Sequence, residues 1–173
     1  MSRLQKVTSP VELELVVSFF DLTRYARFAR TLSPSEGLEF VSRYYEFVGD
    51  IVEKDEGLVI KFIGDSGLVA YPGDKADPAV QNLKQLRDTG DEWLQSHGAE
   101  CRHIIKAHLG PVMCGLVGTK RGKRFDVFGE TIMTAALLKS NGFAITSRLF
   151  RKLRRNCLPG LGAQGSGGSY SCL

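Results

Sequence analysis

Residues 11–25 read Val-Glu-Leu-Glu-Leu-Val-Val-Ser-Phe-Phe-Asp-Leu-Thr-Arg-Tyr. Apolar and polar residues alternate at first, and the segment then becomes continuously apolar, which predicts a central β-strand over residues 11–20. Asp21 ends this strand, and a short helix is predicted to follow through Tyr25, Phe28 and Ala29. The segment therefore predicts a buried strand that ends on a carboxylate and leads into a helix.

A long amphipathic helix is predicted next. Ser33 fits the cap position, Pro34 fits the first helical position, and Glu36 completes a capping box. Gly57 is predicted to stop this helix. Its apolar face is predicted to contain Leu38, Val41, Tyr45, Val48 and Val52.

Downstream of this helix the pattern predicts a β-hairpin, three further helices and two further strands. The predicted elements are strands 58–62 and 67–71 around the tight turn Ile63-Gly64-Asp65-Ser66, a helix over 75–96, strands 101–109 and 112–117, a helix from Glu130, and a helix from Thr146 or Ser147 to about Arg154. The residues predicted to face inward from helix 75–96 are Val80, Leu83, Leu86 and Trp93. The Gly- and Ser-rich tail, 159–173, is either frayed or a short last hairpin.

The order of elements defines the expected fold class. The chain begins strand, helix, helix, strand, strand, helix, strand, which predicts an α/β sandwich of the α+β kind with a mixed, mainly antiparallel sheet. We expect a ferredoxin-like βααβαβ core over about 11–155, followed by extra C-terminal elements. All 173 residues are expected to form one domain.

Composition limits the class of protein. The 43% apolar and 24% charged residues are ordinary for a soluble globular protein, and no apolar run is long enough to span a bilayer. No signal peptide is recognisable, so we expect a cytoplasmic protein with free thiols. The net charge of +4 is mild, and two basic clusters, 120–124 and 148–155, are either solvated surfaces or phosphate contacts. No helix-turn-helix or zinc-finger spacing is present, and no aromatic pair is placed for base stacking, so DNA and RNA are not expected partners.

Two aspartates occupy special positions. Asp21 follows the predicted central strand, and Asp65 lies in a hairpin tip flanked by Gly64 and Gly67. If the two strands are neighbours, the carboxylates converge, and paired carboxylates without His or Cys are ligands suited to Mg²⁺ or Mn²⁺. Two such ions can activate an attacking oxygen and stabilise a leaving phosphate. The alternative is a strand-end cap and a turn aspartate, each of which is common.

Four segments stand in a characteristic order. They are Phe19-Phe20-Asp21-Leu22-Thr23-Arg24-Tyr25, Lys61-Phe62-Ile63-Gly64-Asp65, His108-Leu109-Gly110-Pro111-Val112 with Gly115-Leu116-Val117-Gly118, and Arg124-Phe125-Asp126-Val127-Phe128-Gly129-Glu130-Thr131. They resemble the F-x-D-I-x-x-F, K-x-x-G-D, H-x-G-x-V…G-x-x-G and R-Y-D-V-W-G-D-T segments of class III adenylyl and guanylyl cyclases. Family order and spacing are kept from about residue 12 to 153.

The resemblance implies a metal site and a reaction. Asp21 and Asp65, joined by the Leu22 carbonyl, would hold two divalent ions, Mg²⁺ or Mn²⁺. The ribose 3′-oxygen of a nucleoside triphosphate would attack the α-phosphorus in line, and pyrophosphate would leave, giving a 3′,5′-cyclic nucleotide. Catalysis of this kind is mostly positional and electrostatic. Substrate phosphates would lie against the start of the helix after Asp21, at Leu22, Thr23, Arg24 and Tyr25.

The resemblance also implies a dimer and a base site. Family members form head-to-tail dimers with active sites at the interface. Lys61 and Asp126, from the partner subunit, match the positions that read adenine: Lys61 would donate to a ring nitrogen and Asp126 would accept from the exocyclic amine. In the free protein Lys61 could equally form an ion pair with Asp126 or Glu130.

The chain departs from the family pattern in the helix after Asp126. Where the family has an Asn that orients the ribose and an Arg that stabilises the transition state, this chain has Met133 and Leu137. The final hairpin normally offers a Lys to the phosphates, but here the tail has only Gly and Gln164 near that place. The loss of a preorganised donor typically costs about 10²–10³ in rate.

Three interpretations remain open. The chain is a homodimeric cyclase that uses other basic groups, for which the cluster 120–124 is the nearest candidate; it needs a heterologous cyclase partner; or it is a catalytically impaired module that binds nucleotide. Within the first interpretation the base is open as well. The free-standing bacterial pyrimidine cyclases of antiphage signalling systems resemble this one-domain architecture and would use UTP or CTP, whereas Lys61 and Asp126 favour a purine.

Overall fold

The computed structural model describes residues 2–154, 161–164 and 169–172, and Tyr170 is the one side chain described in the last two segments. The elements are β1 (Val11–Leu22), α1 (Tyr25–Ala29), α2 (Pro34–Val52), β2 (Leu58–Ile63), β3 (Ser66–Pro72), α3 (Ala76–Ser96), β4 (His103–Thr119), β5 (Gly122–Phe128), α4 (Glu130–Leu137), β6 (Phe143–Thr146), α5 (Ser147–Lys152), β7 (Leu161–Gln164) and β8 (Ser169–Cys172).

These strands form one eight-stranded sheet in the order β2-β3-β1-β4-β6-β8-β7, with β5 paired to β4 beside this path. The β4–β6 pair is parallel and the other pairs are antiparallel. The predicted α+β sandwich with a mixed, mainly antiparallel sheet is therefore confirmed, and so is the order of its first seven elements.

The sheet buries a different set of residues on each face. Val16, Phe20 and Leu22 of β1 belong to the larger core, which the long helices α2 and α3 cover. Leu15 and Val17 belong to a smaller core that includes Ala135 of α4. Successive side chains of a strand point to opposite faces, so Asp21 lies on the face that α4 covers.

Helix α2 begins as predicted and buries a somewhat different face. Ser33 caps it, and the Glu36 carboxylate accepts from the Ser33 amide at 2.8 Å, which confirms the capping box. The prediction for Leu38 was wrong: this side chain is 74% exposed because it lies roughly 200° around the helix from Phe40, which is buried. The buried residues of α2 are Phe40, Tyr44, Val48, Ile51 and Val52. The helix ends at Val52, before Gly57, and a short 3₁₀ segment fills the interval.

Strand β4 corrects the prediction of two separate strands at 101–109 and 112–117. It is continuous because Gly110 and Pro111 pair in register with Leu15 and Glu14 of β1. On its other side β4 pairs with β6 through 105–107 and with β5 from Met113 onward. Among the described strands, none therefore lies beside Pro111 on that side. A proline there removes no ladder hydrogen bond on that side.

The C-terminal elements differ in detail from the prediction. Strand β6 was not predicted, and the basic segment 120–124 forms the turn and start of the β4–β5 hairpin. Helix α5 ends at Lys152, two residues before Arg154. In the tail, β7 and β8 pair as a hairpin, while residues 155–160, 165–168 and 173 lie outside the described part.

Two further expectations concern thiols and membranes. Cys101 and Cys114 are buried and free; the side chains of Cys157 and Cys172 lie outside the described residues. Among the helices of the described residues, none is both long and apolar enough to cross a membrane.

Candidate metal and nucleotide site

Asp21 lies at the end of β1, and one of its carboxylate oxygens accepts hydrogen bonds from neighbouring residues. The Ser66 hydroxyl donates to Asp21 Oδ1 at 2.6 Å, and the Leu22 amide donates to the same oxygen at 3.0 Å. Both of these hydrogen bonds end on Oδ1. The carboxylate is therefore held in place through this one oxygen.

Asp65 lies at the tip of the β2–β3 hairpin, as predicted. The tip is shaped by Gly64, whose φ of 63° a residue with a Cβ rarely adopts. Tyr45 of α2 donates its hydroxyl to the Gly64 carbonyl at 2.6 Å, and its ring stacks on Phe62 with centroids 3.7 Å apart. The long helix therefore holds the turn that presents Asp65.

The sheet brings the two predicted carboxylates together. Burial raises the pKa of Asp65; the backbone amides of Asp65 and Leu22 lower it, and the charge and hydrogen bond of Asp21 raise it, with a net pKa above the ordinary value. No ion pair of the described residues includes Asp21 or Asp65. Two converging carboxylates without a cationic partner fit a hard divalent ion.

No larger cluster accompanies the pair. Among the described residues there is no group of three or more His, Cys, Asp or Glu side chains that could hold a metal ion. A backbone carbonyl such as that of Leu22, adjacent to Asp21 in sequence, is one candidate for a further ligand.

The turn after β1 is anchored to the start of β4. The Thr23 amide donates to the Arg102 carbonyl at 2.9 Å, and the Arg102 amide donates to Thr23 Oγ1 at 3.0 Å. Arg24 adopts a left-handed conformation with φ of 60°, and Tyr25 then begins α1 and packs against Phe40. The predicted phosphate-contact residues 22–25 thus form one restrained turn beside the carboxylates.

A buried hydrogen-bonded relay lies behind this turn, and it was not predicted. Tyr44 Oη lies 2.9 Å from His103 Nε2, and His103 Nδ1 lies 2.9 Å from Asp91 Oδ1, which also accepts from the His103 amide. Burial raises the pKa of Asp91, but the hydrogen bonds from His103 outweigh burial and the net pKa is lowered. His103 pairs in register with Leu22, so the relay fixes the strand that anchors Thr23.

The predicted base-reading residues also come together. Lys61 Nζ donates to Asp126 Oδ2 at 2.6 Å, and Asp126 Oδ1 accepts from the Val127 amide at 2.8 Å. The ion pair expected of the free protein therefore forms with Asp126, and Glu130 makes no ion pair with the described residues. The pair joins β2 to β5.

Helix α4 exposes the two apolar residues that depart from the family pattern. Met133 is 57% and Leu137 is 74% exposed. Met133 lines an open cleft of about 550 Å³ together with Phe19, Lys61, Ile63 and Phe128. The exposed side of α4 therefore offers apolar contact where the family offers a hydrogen-bond donor and a cation.

A sheet that presents two adjacent carboxylates, with a lysine and an aspartate paired between β2 and β5, is the arrangement expected of a cyclase-type catalytic domain. The chain belongs to the adenylate and guanylate cyclase catalytic domain family, whose model matches residues 8–149.

Individual relatives and structures agree with this assignment. The chain is 28% identical over 129 residues to an uncharacterized protein of Mycobacterium tuberculosis, covering 73% of this chain and 24% of that protein. It is 25% identical over 158 residues to adenylate cyclase 2 of Rhizobium meliloti, covering 84% and 43%. A bacterial light-regulated adenylyl cyclase structure superposes with a TM-score of 0.80 at 19% identity, over 97% of this chain and 54% of that one, which shows the shared fold. The chain thus spans less than half the length of these curated relatives.

Proposed function

We propose that this chain is the catalytic domain of a nucleotidyl cyclase, which converts a nucleoside triphosphate to a 3′,5′-cyclic nucleotide and pyrophosphate. The observation that carries the proposal is the convergence of Asp21 and Asp65 with no cationic partner among the described residues, because this arrangement is unfavourable unless a cation binds. Membership of the cyclase family supports it.

In this proposal the residues of one chain form the metal half of the site. The carboxylates of Asp21 and Asp65 and the Leu22 carbonyl would hold two Mg²⁺ or Mn²⁺ ions, which would supply activation of the ribose 3′-oxygen and neutralisation of the triphosphate. Ser66 keeps Asp21 in its orientation. The restrained turn 22–25 receives the phosphates, so that the α-phosphorus is aligned for in-line attack.

Lys61 and Asp126 form the base half, acting in trans in a head-to-tail homodimer. Their ion pair leaves each group some remaining capacity, since an ammonium has three donors and a carboxylate accepts several bonds. A donor beside an acceptor suits the ring nitrogen and the exocyclic amine of adenine. We therefore place ATP first, with UTP or CTP as the alternatives that an antiphage cyclase would use.

The exposed apolar residues on α4 favour a second candidate function. Met133 and Leu137 can neither donate a hydrogen bond nor carry charge, so a homodimer would face each metal half with an impaired partner. In this second proposal the chain supplies the metal half to a heterologous cyclase partner, or binds nucleotide without turnover.

Turnover tests the first proposal directly. The pure protein is incubated with each of the four ribonucleoside triphosphates and Mn²⁺, and cyclic products are detected by mass. We expect one base to dominate and Asp65→Ala to abolish the product. Asp50→Ala, on the exposed surface of α2, is the matched control. Unchanged turnover in Asp65→Ala would contradict the proposed role of the carboxylate pair.

Complementation between variants of this chain separates the two candidates. An Asp65→Ala chain that also carries Met133→Asn and Leu137→Arg lacks the metal half and gains a family-like trans half. Mixed with the wild-type chain, it should give more product than either protein alone if the trans half limits activity. Equal activity of the mixture and the wild-type chain would mean that Met133 and Leu137 do not limit turnover.

A further inference from the structure

Lys106 is a charged residue on the sheet face that carries Asp21. It lies on β4 directly opposite Phe19 of β1, and Asp21 lies two residues farther along β1 on the same face. In an antiparallel pair such diagonal neighbours are roughly 7–8 Å apart, within reach of a long side chain. Lys106 and Asp21, with Ser66 and Ala136, line one cleft of about 170 Å³.

The Lys106 ammonium retains capacity to bind an anion. Lys106 is half-buried, and its Nζ donates to the Ala136 carbonyl of α4 at 3.2 Å. An ammonium has three donors, and this is its one hydrogen bond to a described residue. No ion pair of the described residues includes Lys106, so its charge lacks a carboxylate partner there.

Other basic groups are less well placed. The residues of the cluster 120–124 are exposed on the β4–β5 hairpin. Arg102 donates its amide to the turn at Thr23, and its side chain is exposed. Lys106 combines partial burial, a free donor capacity and a position in the Asp21 cleft, while α4 presents Met133 and Leu137 without charge.

We propose that Lys106 binds the polyphosphate of the nucleotide in cis, from the chain that contributes Asp21 and Asp65. This inference rests on the proposed cyclase function and names the cation that acts beside the metal half. The ammonium serves as a point charge for phosphate oxygens, a role that lysine fills in other phosphate sites. Because Lys106 is half-buried, this attraction is less screened by water than it would be at the exposed β4–β5 hairpin.

A purely structural role makes a different prediction. Ala136 belongs to the last turn of α4, where carbonyl groups lack helical partners, and a lysine that donates there stabilises the helix end. If this were its whole contribution, the loss of the ammonium would lower the melting temperature and leave anion binding intact.

Binding of inorganic tripolyphosphate in the presence of Mn²⁺ tests the proposal independently of the base and of turnover. Calorimetry compares the wild-type chain with Lys106→Gln, Lys106→Arg and the control Lys139→Gln, an exposed residue beyond α4. We expect Kd to rise about tenfold in Lys106→Gln, to recover largely in Lys106→Arg and to stay unchanged in Lys139→Gln. The melting temperature is measured for each variant.

The outcomes distinguish the Lys106 inference from the proposed cyclase function. An unchanged Kd in Lys106→Gln overturns the inference, whether or not the melting temperature falls, and a falling melting temperature would then assign Lys106 to the α4 end. A weakened Kd in a chain that turns over none of the four nucleotides keeps the Lys106 inference and removes the cyclase proposal. Absence of Mn²⁺-dependent tripolyphosphate binding by the wild-type chain overturns both.

Discussion

The substitution Asp65→Asn should have opposite effects on stability with and without metal. In the metal-free protein it removes the repulsion between Asp65 and Asp21, which contributes to the raised pKa of Asp65. With Mn²⁺ it removes a proposed metal ligand. We therefore expect the variant to be the more stable protein in chelator and the less stable one in Mn²⁺.

The size of the stabilisation expected in chelator follows from the exposure of the Asp21 and Asp65 carboxylates. Unit charges at 4 Å interact by about 1 kcal/mol in water and about 4 kcal/mol near a protein surface. Asp21 is exposed and Asp65 is half-buried, so solvent screening favours the lower end, about 1 kcal/mol. For a domain of this size that raises Tm by roughly 2–4 °C. Mn²⁺ at 100 times its Kd should stabilise the wild-type protein by about 2.7 kcal/mol and the variant by much less.

The raised pKa of Asp65 also predicts how the stability difference between the variant and the wild type changes with pH. Because the folded-state pKa of Asp65 is raised, the folded protein binds this proton more readily than the unfolded chain does. The unfavourable contribution of Asp65 is therefore present above its folded pKa and disappears as the pH falls below its ordinary value. The stability difference between Asp65→Asn and the wild type should shrink over that interval.

The assay is thermal unfolding in chelator and in a Mn²⁺ series, at neutral pH and at several acidic values. Asp50→Asn is the control, because Asp50 is exposed on α2 and makes no ion pair with the described residues. A variant that is less stable than the wild type in chelator would refute the repulsion argument. A variant stabilised by Mn²⁺ as strongly as the wild type would refute the metal assignment.

Three further substitutions test separate contacts. Ser66→Ala removes the hydroxyl that donates to Asp21 Oδ1. We expect the Mn²⁺ affinity measured by calorimetry to fall about threefold to tenfold, and the free energy of unfolding in urea to fall by about 1 kcal/mol. An affinity equal to that of the wild type would show that Ser66 does not orient Asp21. Gly90→Ala would place a Cβ 2.5 Å from the His103 ring. Although alanine favours helices, we expect this contact to lower the free energy of unfolding in urea by about 1–3 kcal/mol. A stabilised variant would contradict the close packing around His103. Lys61→Ala should raise KM for the preferred nucleotide about tenfold and narrow the preference among the four bases in competition assays, and an unchanged preference would exclude Lys61 as a reader of the base.

Local sequence patterns were sufficient to predict that Asp21 and Asp65 lie close together. The capping box at Ser33, the hairpin around Gly64 and Asp65, and the apolar run that ends at Asp21 each depend on residues within a few positions of one another. Such short-range features follow from backbone preferences and side-chain period. Once β1 and β3 were taken as neighbours, the convergence of the carboxylates followed.

The features that sequence reasoning missed depend on tertiary pairing. The relay joins Tyr44, Asp91 and His103 from α2, α3 and the start of β4, and no local period connects residues 59 and 12 positions apart. The continuity of β4 across Gly110 and Pro111 depends on its pairing with β1, and β6 is only four residues long. To predict that Lys106 lies beside Asp21, one must know the register between β1 and β4. The alternation of apolar and polar residues along each strand does not specify that register.

The distribution of charge on the chain constrains how many sites an assembly can have. Under the proposed function, each copy would carry its own metal half at Asp21 and Asp65 and its own base half at Lys61 and Asp126. A symmetric homodimer would then have two equivalent sites with the same α4 residues facing both. A heterologous partner that supplies Asn and Arg from α4 repairs only the site built on this chain's carboxylates. One nucleotide per dimer would therefore indicate a mixed assembly, whereas two would mean that groups in cis, Lys106 among them, are sufficient for binding.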